Sequence, residues 1–309
     1  MRALTICLML WIGLPAHADK AAFLDLARQG WTYDLRTTML RRNMAIPVHI
    51  NGRDLAGASL CLVGERPHPK SLEIIDAFRA LAQRAYGKPL TMRHAGPRAA
   101  GCGSGRTVVL RLYSGFPPNQ ALSDDLAWMN RVHQLGLPPN GYYAATSPAM
   151  GQTFFGRRGQ GTHIMVKQPA IARLGRLERA FYKSILIEEL FQSFTFGMDI
   201  VQFDRSGGFL SKLQETPFNL YRLSWDSRDF MRALVNSNPG GLCVFDVFMM
   251  HAVAEAQVDQ TTDPAFIHFI DREYDRLMAR TLETVADPRL AEIYDPDCAR
   301  TTVSRLRED

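Results

Sequence analysis

Apolar residues recur along this chain at two different periods. Residues 46–50, 59–63, 89–93, 107–113 and 162–167 are short runs rich in apolar and β-favouring side chains, the fourth nearly continuous, and they predict strands. Asn51-Gly52 predicts a hairpin turn between the first two runs. The stretch Gly101-Cys102-Gly103-Ser104-Gly105 predicts a flexible hairpin connection between the third and fourth. It lacks the Gly-Lys-Ser/Thr ending and the following helix that a phosphate-binding loop requires. Helical spacing governs the rest. Ile74, Phe78, Leu81, Ala82 and Ala85 share one face behind a capping Ser71, and Ser123 opens a second helix. Residues 137–161 form a long Gly- and Pro-rich passage carrying Tyr142, Tyr143, Phe154 and Phe155, a candidate lid or a loop pinned by its aromatics. Helices are predicted over 173–196, 226–235, 242–257 and 264–286. This order predicts an α+β fold: a mixed sheet with helices, a central helix, and a mainly helical C-terminal subdomain.

The central helix breaks its own pattern. Ile187, Leu190, Phe191 and Phe194 form an apolar stripe, and Ile185 and Leu186 cover much of the remaining surface. A helix apolar on most faces is buried, yet this one carries Glu188, Glu189 and Gln192. Glu188 and Gln192 share a face, and Glu189 projects about 100° around the axis. Buried carboxylates need compensation by a cation, a basic residue, a hydrogen-bond network or a water-filled cleft.

Composition places the chain outside the cytosol. Residues 1–18 carry Arg2, an apolar stretch and an Ala-His-Ala ending, the layout of a secretory signal peptide. A mature chain from Asp19, periplasmic or secreted, is expected, with no membrane span. Export makes the remaining four cysteines disulfide candidates, and proximity pairs Cys61 with Cys102 and Cys243 with Cys298. Close Cys-x-x-Cys pairs for zinc are absent from the sequence. Residues 19–170 hold 19 Lys+Arg against 9 Asp+Glu, and residues 171–309 hold 16 against 22. The two halves either dock by opposite charge, or the first offers a basic surface to an anionic partner such as a cell-wall polymer or phospholipid headgroups. An exported chain of mature net charge +4 without a recognition motif excludes nucleic acid.

A strand followed by a helix with two polar residues four apart flanking a Glu is the layout of zinc peptidases, whose His-Glu-x-x-His places two ligands and a water-activating Glu on one helix. Here that place holds Glu188-Glu189-Leu190-Phe191-Gln192, followed by Gly197 and Asp199. The pattern resembles an exported proteobacterial family of unknown function with Glu-Glu-x-x-Gln in place of the zincin motif. The resemblance is closest over 173–199, and the spacing from Gln192 to Gly197 is stretched. It implies a zincin-like part over 19–200, a helical subdomain over 201–309, and a degenerate metallopeptidase site. Glu189 keeps the place of the water-activating carboxylate, beside Glu188. A Gln amide is a poor zinc ligand, and Glu with Gln suits Ca²⁺ or Mg²⁺ better, so no metal and no cofactor are expected. Substrate or partner would meet Gln192, Asp199 and Lys212.

Lys212 lies in residues 209–215, which read as a surface turn or as the wall of a cleft over Glu189 with Lys212 as counter-charge. A second set, Asp246, His251 and Glu255, sits on the 242–257 helix among Phe245, Phe248, Met249 and Val253, and reads as packing. His49 and His163 read as structural. The expectation is a non-catalytic binding or accessory module of the cell envelope, partnered by an envelope protein or an anionic cell-wall polymer. The alternative is an atypical, peptidase-like hydrolase with Glu189 as general base.

Overall fold

The computed structural model describes residues 20–33, 46, 48–171, 173–203, 208–220 and 223–298. The expected signal peptide lies outside them. The described chain is mixed α+β, with a five-stranded mixed sheet and seven α-helices among the described residues. In chain order these are α1 (Lys20–Trp31), β1 (Ser59–Gly64), α2 (Pro69–Tyr86), β2 (Thr91–His94), β3 (Thr107–Tyr113), α3 (Asn119–His133), β4 (Ala149–Gly156), β5 (Gly159–Lys167) and α4 (Arg176–Thr195). Beyond these come the short β6 (Ile200–Val201) and β7 (Gln214–Glu215), then α5 (Arg228–Ser237), α6 (Val244–Glu255) and α7 (Pro264–Val285).

The sheet order is β2-β1-β3-β5-β4, parallel except for β4, which runs antiparallel to β5 at one edge. Parallel strands need cover on both faces, and alternation supplies it. Leu60, Leu62, Val108, Leu110, Leu112, Ile164 and Val166 join α2, α4 and α6 in the main core. Cys61, Val63 and Val109 face the Cys102 side, while Tyr113 and Met165 pack on Leu122, Leu126 and Met129 of α3. Both expected disulfides are formed, Cys61–Cys102 and Cys243–Cys298. No described helix is long and apolar enough to cross a membrane.

Three expectations fail for identifiable reasons. The strand over 46–50 and its hairpin do not form: residues 48–50 have no regular structure, and Asn51 instead caps a 3₁₀ turn, Gly52–Leu55. The Asn51 amide reaches the carbonyls of Val258 (2.6 Å) and Asp259 (3.2 Å), so a long-range contact overrides local turn preference. The 101–105 stretch is no hairpin either, because β2 and β3 flank β1 on opposite sides. The 137–161 passage contains the whole of β4. The two glycines of β4, Gly151 and Gly156, are kept by close packing: a Cβ at Gly156 would lie 2.0 Å from the His133 carbonyl oxygen.

Oppositely charged halves do meet. Lys20–Asp271 (2.7 Å), Lys70–Glu292 (2.8 Å), Arg84–Asp287 (3.0 Å) and Lys167–Asp226 (2.6 Å) all cross from the basic half to the acidic one. One buried ion cluster stays within the first half. Asp125 of α3 takes a two-pronged Arg111 (2.6 and 2.7 Å), His163 Nε2 (3.0 Å) and the Ala99 amide (3.0 Å), all sealed from water. His163 is thus structural. Desolvation raises the Asp125 carboxyl, but hydrogen bonds and charge from His163 and Arg111 outweigh it and hold it below its usual range. Removing one partner of a buried pair leaves the other charge uncompensated. Asp125→Ala is therefore expected to cost about 3–5 kcal/mol in a urea titration; a cost under about 1 kcal/mol would contradict this account.

Candidate functional site

The site is built on α4. Most of its length is buried, including Phe181, Ile185, Leu186, Ile187, Leu190, Phe191 and Phe194. Its last carbonyls have no partner within the helix, and three aromatic side chains supply one each. Tyr86 Oη donates to Phe194 O, Trp31 Nε1 to Thr195 O (2.9 Å) and Tyr33 Oη to Phe196 O (2.8 Å). Phe196 takes a left-handed conformation (φ 57°) to end the helix. Gly197 follows where no side chain fits, since a Cβ would come within 2.5 Å of Leu213 and 2.7 Å of Trp31. The Met198 amide donates to Gly30 O (2.8 Å), fixing the turn that carries Asp199.

Asp199 precedes β6, and Glu215 ends β7. The two strands pair in parallel with Val201 opposite Glu215, which brings both carboxylates to the polar face of α4. One oxygen each of Glu188, Asp199 and Glu215 lies within 4.8 Å of the other two. Gln192 Nε2 donates to Asp199 Oδ1, so the stretched spacing after Gln192 still delivers Asp199 to the motif.

Lys212 is the centre of compensation. It is fully buried, so Lys212 does not sit on a surface turn; it is a counter-charge, but to Glu188, and no residue of 209–215 lines the cleft beside Glu189. Its ammonium forms an ion pair with Glu188 Oε2 (2.9 Å) and donates to Ser184 Oγ (2.8 Å) and Pro239 O (2.9 Å). Asn238 Nδ2 donates to Glu188 Oε2 (2.7 Å). The turn bearing Lys212 is held by Asp246, which accepts from Ser211 Oγ (2.6 Å), the Lys212 amide (2.7 Å) and the Cys243 amide (2.7 Å).

Burial and mutual repulsion push the remaining carboxyls toward protonation. Desolvation and then the Glu188 charge raise Glu215 to about 8, and a shared hydrogen bond with Glu188 adds to this. Asp199 is exposed as a residue, yet desolvation of the carboxyl it turns inward, with Glu188 beside it, raises it to about 6. Glu189 stands apart. It is half-buried as a residue, but its Oε2 is sealed and has no hydrogen-bond partner. Burial first, then Glu188, Asp199 and Glu215, raise its carboxyl well above the usual range. It lies beneath β4, where a Cβ on Gly151 would come within 2.5 Å of it. Gly151, Gln192, Ser193, Asp199 and Tyr33 line a cleft of about 360 Å³ above it.

Of the residues the sequence singles out, Glu188, Gln192, Asp199 and Lys212 come together, and Glu189 sits one face away. Asp246, His251 and Glu255 do not converge: Asp246 holds the Lys212 turn, His251 Nε2 meets Thr284 Oγ1 (2.8 Å), and Glu255 is paired with Arg276 and Arg280. Glu215, Asn238 and Ser184 were missed as site residues. One signal was present, because Ser184, Glu188 and Gln192 stand at four-residue steps, a polar line along an apolar helix.

No protein-family model, curated protein or solved structure matches this chain. Two expectations follow from the cluster itself. Lys212→Met should destabilise by about 3–5 kcal/mol, and Lys212→Met with Glu188→Gln should recover much of that, read as a double-mutant cycle in denaturant. Glu215 retains in the folded state a proton that the unfolded chain releases above its lower pKa, so its stabilising effect is complete at acid pH and is lost as pH rises through about 8. Relative to wild type, Glu215→Gln should therefore gain a few degrees in Tm between pH 5 and 9, with no further change below pH 4.5; a flat difference across that range would refute it.

Proposed function

We infer that this is an exported, zincin-like protein with a degenerate metallopeptidase site, working as a non-catalytic binding or accessory module of the cell envelope. The observation that carries the reading is Lys212. A peptidase of this layout needs a strongly polarising metal with an open coordination position beside Glu189. Here the cation beside the helix is an internal ammonium, fully buried and already engaged by Glu188, Ser184 and the Pro239 carbonyl.

The donor chemistry agrees. The gathered side chains are Glu188, Asp199, Glu215 and Gln192, all oxygen donors, whereas zinc sites draw on imidazole and thiolate. Among the described residues no His or Cys belongs to the cluster. The set does not suit zinc. Burial and the neighbouring acids favour the neutral form of the Glu189 carboxyl, and no imidazole or resident basic group is hydrogen-bonded to its sealed oxygen to offset this. Two disulfides fit the oxidising compartment that the N-terminal signal implies. Partners of an envelope protein or anionic-polymer kind follow from that location and from the basic first half.

One observation favours the alternative of an atypical hydrolase: Asp199, whose carboxyl is raised to about 6, lines a cleft, a pattern common at catalytic sites. Elemental mass spectrometry of mature protein, purified without chelators or affinity histidines, separates the readings at the metal. No zinc above background is expected, and one equivalent would overturn the degenerate-site reading. Glu189→Gln separates them at the carboxyl. The module should keep its fold and partner affinity, whereas loss of a measurable peptidase activity in this variant would establish the hydrolase.

A further inference from the structure

A second pocket, about 520 Å³ in volume, lies at the end of the sheet where β1, β3 and β5 begin. Its ionisable lining is Arg106, Arg157, Arg158, His49, His133 and Asp54, with Phe155 forming part of the wall. Asp54 is the only acid there, and it is already engaged. His49 Nε2 lies 3.4 Å from its Oδ2, and Arg106 donates to its backbone oxygen (2.8 Å). Arg157 and Arg158 are exposed and have no ion-pair partner among the described residues. Other cations of the basic half, Lys20, Lys70, Arg84 and Lys167, are neutralised by the acidic half. Of the cations without an ion-pair partner among the described residues, Arg157 and Arg158 stand side by side on this pocket.

The two arginines are held in place. They form the tip of the β4–β5 hairpin, between Gly156 and Gly159 (φ 109°). Their amides donate to the end of α3, Arg157 N to Gln134 O (3.2 Å) and Arg158 N to His133 O (3.0 Å). Gly156 packs so closely on His133 that the tip has no room to withdraw. A fixed backbone lowers the ordering cost of engaging an anion, and guanidinium forks match phosphate and carboxylate oxygens.

We propose that this pocket binds an anionic saccharide, with its phosphate or carboxylate on Arg157 and Arg158 and a sugar ring against Phe155. Three features favour that ligand. The volume falls in the range of small-molecule sites of about 300–1,000 Å³ and far exceeds a lone phosphate. Ser104, Thr107, Gln160 and Thr162 add hydroxyl and amide groups to the lining, suited to sugar hydroxyls. The exposed large apolar side chains all lie outside the lining, so the pocket lacks the anchors that bilayer binding uses beside basic groups. The inference stands on this pocket alone and is independent of how the carboxylate cluster is read.

Isothermal titration of the mature protein tests it, with pentamannose phosphate and penta-galacturonate as probes. Maltopentaose, inorganic phosphate and vesicles containing 30 mol% phosphatidylglycerol are the comparators. At least one charged oligosaccharide should bind ten-fold or more tightly than maltopentaose and inorganic phosphate, and the better of the two identifies phosphate or carboxylate as the anion. The double variant Arg157→Ala, Arg158→Ala should weaken binding at least ten-fold and flatten its salt dependence, while Arg228→Ala, outside the pocket, should not. The substituted tip is exposed, and an unchanged circular dichroism melt confirms that the double variant is folded. Equal binding of maltopentaose, binding of phosphate alone at the same affinity, or no binding of either charged oligosaccharide would overturn the proposal. So would preferential capture by vesicles, or full affinity in the folded double variant.

Discussion

The burial of one ammonium group organises this half of the molecule. Removing a Lys side chain from water is costly unless it is hydrogen-bonded and its charge is met. Ser184 and the Pro239 carbonyl accept from Lys212, and Glu188 meets its charge. Each comes from a different part of the chain than the one that presents the ammonium. The 211–213 turn must therefore stand at a fixed place between α4 and the segment before α6. Asp246 anchors the backbone of the turn, and the Cys243–Cys298 bond ties the start of α6 to residues near 298. Positioning of Glu215 follows, because it is only three residues beyond Lys212 and is held there by pairing with β6.

The same ammonium defines the electrostatics of the cluster. One positive charge faces Glu188, Asp199 and Glu215, and Glu189 lies nearby. A single cation does not offset the burial and mutual repulsion of so many acids, and the carboxyls of Asp199, Glu215 and Glu189 rise in pKa. Protons are mobile cations whose occupancy follows pH, whereas a resident zinc would be fixed by ligand chemistry that this cluster lacks. The site thus sets a group of acids with raised pKa values around one buried lysine. Elsewhere the opposite solution prevails: Asp125 has Arg111 and His163 against it and remains ionised.

What the sequence reveals about this fold is mostly what local spacing controls. The two disulfide pairings, the strand at 107–113 and the helical order after residue 173 are legible because each depends on neighbours or on simple proximity. Glu188 and Glu189 are legible as anomalies because nothing local can compensate them. Their compensation is illegible for the same reason. Lys212 is 24 positions from Glu188 and Asn238 is 50, and only the fold decides which of many polar residues arrives. Asn51-Gly52 shows the reverse failure, a strong local turn signal diverted by carbonyls more than 200 residues away. The edge strand β4 hid inside a Gly-rich passage because its glycines answer to neighbours in space rather than to a turn.

Gly151 shows where that spatial demand leads. The space a side chain would occupy on this strand residue is taken by Glu189 Oε2, with Ser193 Oγ at 3.2 Å. The two positions are consequently linked in order as well as in identity. A lineage that shortens residue 189 first opens room beneath β4 and can then accept alanine at 151. A lineage that takes alanine at 151 first must swing the Glu189 carboxyl end aside. The glycine in the sheet and the acid in the helix therefore occupy one shared volume, and a change at either alters what the other can hold.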